Sequence, residues 1–253
     1  RWFKSAILSR NTDRGGRVFE RVLILETSGK VGQAALASGE AIIADLRLGE
    51  ERRRASDLAM AVDRLLKEQG WRARDLTDVV VGLGPGSYTG LRVGLASAKA
   101  LAFATGCRFH GVETYAAIAS HASGDARSIS VVGDALQGKL FHRRYGRGEG
   151  DVIVPLTGFE IIRSDEWVAS DLTGIFVTGP GIGLLQGMPA ARELVATPLP
   201  VDLLRVATHF SWAVTSDVWR AEPFYLRGSS AEEKVKDLAS VELGSGTASA
   251  SPG

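Results

Sequence analysis

One cysteine, Cys107, stands among the 253 residues, so no intrachain disulfide and no cysteine-built metal centre can form. That usage fits a reducing, cytoplasmic setting. The chain also lacks a charge excess. Thirty Lys and Arg against 29 Asp and Glu leave a formal net charge of +1, which is not the footprint of a protein that grips nucleic acid by itself. Where RNA is involved, a partner supplies most of the phosphate contact. No apolar run reaches the ~18–20 residues that span a bilayer, and Ala6–Leu8 is too short for a secretory signal. His110, His121, His142 and His209 form no His-x-x-x-His pair, so no helical metal site is expected.

What is present is ordinary globular composition, with 45% apolar and 23% charged residues, enough chain for one large domain or two small lobes. Residues 1–20 read as a tail outside the fold, and 231–253, which end in GSGTASASPG, as a disordered tail. Arg21–Glu26 is an apolar run and reads as a buried strand. Val31–Ser38 reads as a second strand, Gly39–Glu40 as a turn, and Ala41–Leu48 as a third strand. Leu58, Ala61, Val62, Leu65 and Leu66 then recur at helical spacing, with Ser56 as N-cap and Gly70 as stop. Asp78–Gly82 is a strand, a helix runs from about Gly90 to Ala104, and Phe109–Val112 is another strand.

The order β-β-β-α-β-α-β over 21–112 suits an actin-like (ASKHA, ribonuclease H-like) α/β lobe. A second, smaller lobe is expected over 113–199, with Ser130–Asp134 and Lys139–Tyr145 as a hairpin around Leu136–Gly138 and a strand at Ile175–Thr178. Residues 200–230 should hold a helix, Val201–Val214, and a C-terminal segment. No internal sequence repeat is evident.

The strongest local signal is Gly82-Leu83-Gly84-Pro85-Gly86-Ser87-Tyr88-Thr89-Gly90-Leu91-Arg92-Val93-Gly94. It is a strand end, a tight loop and a helix start, with Ser87 and Thr89 as N-cap types. It is neither a Walker loop, since no Gly-Lys-Ser/Thr follows, nor a Rossmann fingerprint, since the glycine spacing differs. Two readings stay open: a rigid turn without a ligand, or anion binding at the helix N-terminus. Gly90, Gly94, Ala98 and Ala102 fall at steps of four and make a small-residue stripe, flanked by Leu91, Leu95 and Leu101. Such a stripe admits a close helix neighbour, either the chain's own sheet and its Leu58–Leu66 helix or a second subunit. Ser87 as a nucleophile lacks the Gly-x-Ser-x-Gly elbow. The Arg52–Arg54 run and Arg143, Arg144 and Arg147 read as solvated surface, with contact to RNA phosphate as the functional alternative.

The GPGSYTGLRVG segment resembles the GPGSFTGLRIG hallmark of the TsaB (YeaZ) family, with Tyr88 for Phe. Weaker likenesses fall in the same order along the chain: Ile24–Ser28 to the opening strand and turn, Asp134–Phe141 to a hairpin motif, and Glu222–Arg227 to a Pro-x-Tyr-Leu-Arg ending. Together they span roughly 21–230. The resemblance implies a two-lobed actin-like fold with a reduced second lobe. It implies a non-catalytic partner of the transferase homologue TsaD, assisted by the ATPase TsaE, in making threonylcarbamoyladenosine beside the anticodon of tRNA. Pairing would run through the first-lobe helices, with Leu58, Ala61, Leu65, Gly90, Leu91, Gly94, Leu95, Ala98 and Ala102 as the interface. Pairing of two copies when the chain is alone stays open. The motif loop would comprise Gly84, Pro85, Gly86, Ser87, Tyr88, Thr89, Gly90 and Arg92. No tightly bound cofactor is implied; ATP or ADP would sit at the complex interface near Thr27 and Ser28. The rival functions are an actin-fold small-molecule phosphotransferase and a peptidase. Glu26 stands where the family has Asp, and one extra methylene would disturb an Mg²⁺ beside a phosphate. Arg54 stands for His, Leu136 for Arg and Lys139 for Glu.

Overall fold

The computed structural model describes residues 19–49, 55–122, 124–185, 192–193 and 198–226. The expectations for residues 1–18, Arg52–Arg54, Arg227 and 231–253 lie outside these residues.

The first sheet holds β1 (Arg21–Glu26), β2 (Gln33–Ser38), β3 (Ala41–Arg47), β4 (Asp78–Gly82) and β5 (Arg108–Val112). β1 pairs antiparallel with β2 and β2 with β3, while β1, β4 and β5 run parallel. The crossovers are long helices, α1 (Ala55–Glu68) from β3 to β4 and α2 (Tyr88–Thr105) from β4 to β5. β1 and β2 are covered on both faces. Leu23, Leu25, Ala34 and Leu36 join the core under α1 and α2, whereas Val22, Ile24, Ala35 and Ala37 face the other way. Double burial explains why both strands read as apolar runs rather than alternations, and close helix cover explains the alanines of β2.

After α3 (Thr114–His121) the second sheet is built from β6 (Ser128–Asp134), β7 (Lys139–Arg147), β8 (Ile153–Pro155), β9 (Glu160–Arg163), β10 (Ile175–Thr178) and β11 (Arg192–Glu193), with α4 (Ser164–Val168) between β9 and β10. β6 pairs antiparallel with β7 and parallel with β10, and β10 parallel with β11. This is the plan of the first sheet again, although the sequence carries no repeat. The crossovers differ: α4 has 5 residues, and β10 leads into a three-residue 3₁₀ turn, Ile182–Leu184.

Helix α5 (Pro200–His209) lies with α3 between the sheets, and β12 (Val214–Thr215) returns to pair with β5. Tyr115, Ile118, Leu203 and Val206 thus share one core with Val22 and Ile24 from one sheet and Ile129, Val131 and Tyr145 from the other.

Local expectations change in three places. Phe19 is buried in the inter-sheet core and its ring centroid lies 5.1 Å from that of His110, so the fold begins inside the expected tail. Ser56 lies within α1 and is no N-cap. Gly70 does stop that helix, at φ +67°, the left-handed region open to glycine. The helix expected over Val201–Val214 ends at His209, because Phe210 leaves helical geometry (φ −121°, ψ 76°) before the chain turns into β12.

Candidate functional site: the glycine-rich loop and the two faces of its helix

The loop joins three strand ends. Ser87 caps α2, its Oγ accepting from Gly90 N at 3.3 Å. Ser87 N donates to Ser28 O at 2.7 Å, tying the loop to the turn after β1. Gly84 N donates to Thr114 Oγ1 and Thr114 N to Gly84 O, both at 3.0 Å, tying it to the end of β5. A Cβ on Gly90 would overlap Thr27 O, and one on Gly94 would overlap Thr27 Oγ1. Glycine at these two places is therefore required by close approach of the chain to itself. The C-terminal segment closes the arrangement. Phe224 N donates to Leu83 O at 2.8 Å, and the Tyr225 and Tyr88 rings lie 4.9 Å apart. The Arg92 guanidinium sits 4.3 Å over the Tyr88 ring and its Nε donates to Tyr225 OH at 3.2 Å.

Thr27 and Ser28 do not fit a nucleotide. Both side chains are buried under the loop. The Ser28 amide, which a phosphate would need, already donates to Glu26 Oε1 at 2.5 Å. Glu26 is fully buried, with Oε2 unpartnered against Gly82. Burial pushes its carboxyl up to about 7, against the pull of the Ser28 hydrogen bonds. A carboxyl enclosed beside the turn adds no anchor for phosphate. The expected nucleotide role of Thr27 and Ser28 is thus replaced by a structural one.

The space between the lobes is filled as well. Arg143 Nη1 donates to Glu113 Oε2 at 2.5 Å, and Tyr145 OH donates to Glu113 Oε1. Burial pushes the Glu113 carboxyl up, opposed by the Arg143 charge and the Tyr145 hydrogen bond. Arg143 also lies 4.4 Å over the Phe159 ring, which in turn packs at 5.2 Å against Phe224. Arg147 is buried and donates to the carbonyls of Ala122 and Ala126 and to Asp151. Arg143 and Arg147 are therefore internal braces; neither is a solvated face or a phosphate contact.

Ser87 has no base among its hydrogen-bond partners. A serine–histidine–carboxylate string that the sequence reading missed lies elsewhere. Ser130 Oγ is 2.6 Å from His142 Nε2, and His142 Nδ1 is 3.3 Å from Glu160 Oε2. The distances are those of a hydrolytic triad. Ser130, however, is 0% exposed and His142 4%, in the middle of the second sheet near Trp167. A substrate carbonyl cannot reach Ser130, and the string is a satisfied buried polar group. Burial also lowers the His142 pKa, which favours the neutral ring. Among the described residues no group of three His, Cys, Asp or Glu could hold a metal ion, and no helix is long and apolar enough to cross a membrane.

The nine residues expected at a subunit interface all fall in this chain's own interior. Leu58, Ala61 and Leu65 of α1 and Gly90, Leu91, Gly94, Leu95, Ala98 and Ala102 of α2 are all buried. The stripe lies on Thr27 and the parallel strands, so that side of α2 has no surface left for another chain. The opposite side does. Ala96, Ala100 and Ala104, again at steps of four, are exposed on α2. Beside Ala100 stand Phe103 at 79% exposure and Trp219 at 77%.

Two lobes on one strand plan, joined through a shared core and carrying a strand-loop-helix joint at the ends of β1, β4 and β5, define an actin-like α/β protein. A family model described as TsaD, tRNA N6-adenosine threonylcarbamoyltransferase, matches residues 50–157. The chain is 29% identical over 230 residues to the tRNA threonylcarbamoyladenosine biosynthesis protein TsaB of Escherichia coli K12, covering 85% of this chain and 98% of that one. It is 32% identical over 139 residues to TsaB of Bacillus subtilis 168, covering 53% of this chain and 59% of that one. The solved structure of YeaZ from Pseudomonas aeruginosa matches with a TM-score of 0.66 at 25% identity, covering 82% of this chain and all of that chain. Together these likenesses support a TsaB (YeaZ) family assignment.

Proposed function

We propose that this chain is an accessory subunit in threonylcarbamoyladenosine formation on tRNA, and that it acts by pairing with a TsaD-type transferase rather than by chemistry of its own. The observation that carries the reading is the rigid glycine loop. It is spent on the chain's own turn, while α2 turns a second, exposed line of small residues outward. Groups that could otherwise do chemistry are sealed: Glu26 and Ser28 beneath the loop, Glu113 between the lobes, and Ser130 within the second sheet. The relatives named for this pathway support the same assignment.

The pairing surface is the outward side of the first-lobe helices, where Ala96 and Ala100 allow a partner helix to approach closely. A TsaE-type ATPase and the tRNA substrate join through that assembly, and the cytoplasm is its setting. An ATP or ADP in the assembly is held by groups other than Thr27 and Ser28.

The test is reconstitution from purified parts. The chain with the same organism's TsaD and TsaE homologues, tRNA and threonylcarbamoyl-AMP should yield modified tRNA, and omission of the chain should abolish the yield. Equal yield without the chain would overturn the reading.

A further inference from the structure

At the C-terminal end of α2 the chain leaves an open apolar groove of about 620 Å³, lined by Phe103, Cys107, Phe109, Val218 and Trp219 among others. Phe103 and Trp219 form its lips, with rings at 6.4 Å and edge-on at 75°. They are the two most exposed large apolar side chains among the described residues. Exposed aromatic pairs of this kind are rare on a surface without a partner and common at the centre of interfaces.

The rim is basic. Lys99 stands beside the groove with Nζ 3.5 Å from Trp219 O, and the side chain of Arg220, next to Trp219, is 90% exposed with Nε 3.7 Å from Asp217 Oδ2, so the rim sets two cations against one carboxylate. Helix α2 carries Arg92 and Lys99 and no acidic residue at all. The groove continues into the exposed alanines 96, 100 and 104, so a helix lying along that line would end over it.

We propose that this groove anchors the partner subunit's helix by taking one large aliphatic or aromatic side chain, with carboxylates on the same helix meeting Lys99 and Arg220. The proposal rests on the pairing described above and names the chemistry the partner must present there. The aromatic lips set the dissociation rate, because such contacts are desolvated on binding. The basic rim sets the association rate and its dependence on salt.

The experiment measures binding of the full-length chain to the same organism's TsaD homologue by surface plasmon resonance, with thermal melting of each variant as a check on folding. Phe103→Ser/Trp219→Ser should weaken binding about 30-fold or more, mostly through faster dissociation. Lys99→Glu/Arg220→Glu should slow association at low salt about tenfold and flatten its salt dependence. Because all four side chains lie at the surface, melting should stay close to wild type.

Three results would overturn the groove. Unchanged affinity of the aromatic double variant, while Ala96→Arg, outside the groove lining, abolishes binding, would leave the helix face and remove the groove. Affinity that rises would mean that part of this chain competes for the groove. Loss of a self-associated form by light scattering, with partner affinity intact, would assign the groove to a second copy. If the wild-type chain fails to bind the TsaD homologue at all, the proposed function itself fails, which is a separate result.

Discussion

The two lobes share a strand plan and differ in what crosses over it. In the first, the crossovers are helices of 14 and 18 residues. In the second, among the described residues, they are a helix of 5 residues and a 3₁₀ turn. Strand pairing alone is therefore enough to hold the plan, since the backbone ladder is satisfied whichever connection is used. What the long helices add to the first lobe is an outer layer. Its inner side closes the core over β1 and β4, and its outer side stays exposed. Among the described residues, Trp167, Leu172, Ile182 and Leu185 pack over the second sheet's strand residues Val132, Leu140 and Val177. The second lobe also contributes to the shared core around Tyr145 and Ile129.

The sharpest way to break this contrast is to exchange the two sides of α2. Gly94→Leu would drive a side chain into Thr27 and should cost on the order of 5 kcal/mol, leaving little folded chain in urea titrations. Ala100→Arg, about one and a half turns further on and facing out, should change stability by no more than about 0.5 kcal/mol. The joint between the lobes comes next. Arg143→Met strands the buried Glu113 carboxylate and should cost about 3–5 kcal/mol, with fluorescence and circular dichroism following one transition. Separate transitions would mean that the lobes are less united than their shared core implies.

Glu26 sharpens the comparison through pH. Its folded-state pKa is about 7 against an ordinary 4.5. Between those values the folded chain keeps a proton that the unfolded chain has lost. Stability therefore falls as pH rises through that window, and the full cost, about 3 kcal/mol, is present above pH 7. Glu26→Gln should raise stability by up to that amount at pH 8 and by almost nothing at pH 4, measured by denaturant unfolding. A smaller loss is expected in the second lobe. Ser130→Ala should cost about 1–2 kcal/mol, from the unpaired His142 nitrogen, and leave tRNA modification intact. Loss of activity in a normally folded variant would reopen the hydrolytic reading.

The first lobe was far more legible in the sequence than the second. Arg21–Glu26, Asp78–Gly82 and Ile175–Thr178 are apolar runs whose observed bounds match those read from sequence, because strands buried on both faces leave a continuous signal. β8, β9, β11 and β12 have 2 to 4 residues and no usable period. α3, Thr114–His121, is buried almost all round, so it has no polar side to betray its pitch. α2 misled for a different reason. It carries small residues on two faces, 90-94-98-102 and 96-100-104. The sequence reading took up the first stripe alone and left open whether it faces the chain's own sheet or a second subunit; the resemblance put it at the interface, and the position of Thr27 decides for the sheet. Glu26 and Thr27 flank the same problem, because a turn sequence does not reveal that a distant loop will cover it. The string Ser130–His142–Glu160 was out of reach, since its members meet only through the β6–β7–β9 pairing.

The outward side of α2 is the central claim, and hydroxyl-radical footprinting of the full-length chain, alone and with its TsaD homologue, tests it most directly. Phe103 and Trp219 should lose most of their labelling in the complex, while Trp167, already enclosed in the second lobe, stays equally dark in both states. Equal labelling of Phe103 and Trp219 with and without the partner, with protection appearing on the second lobe instead, would contradict it.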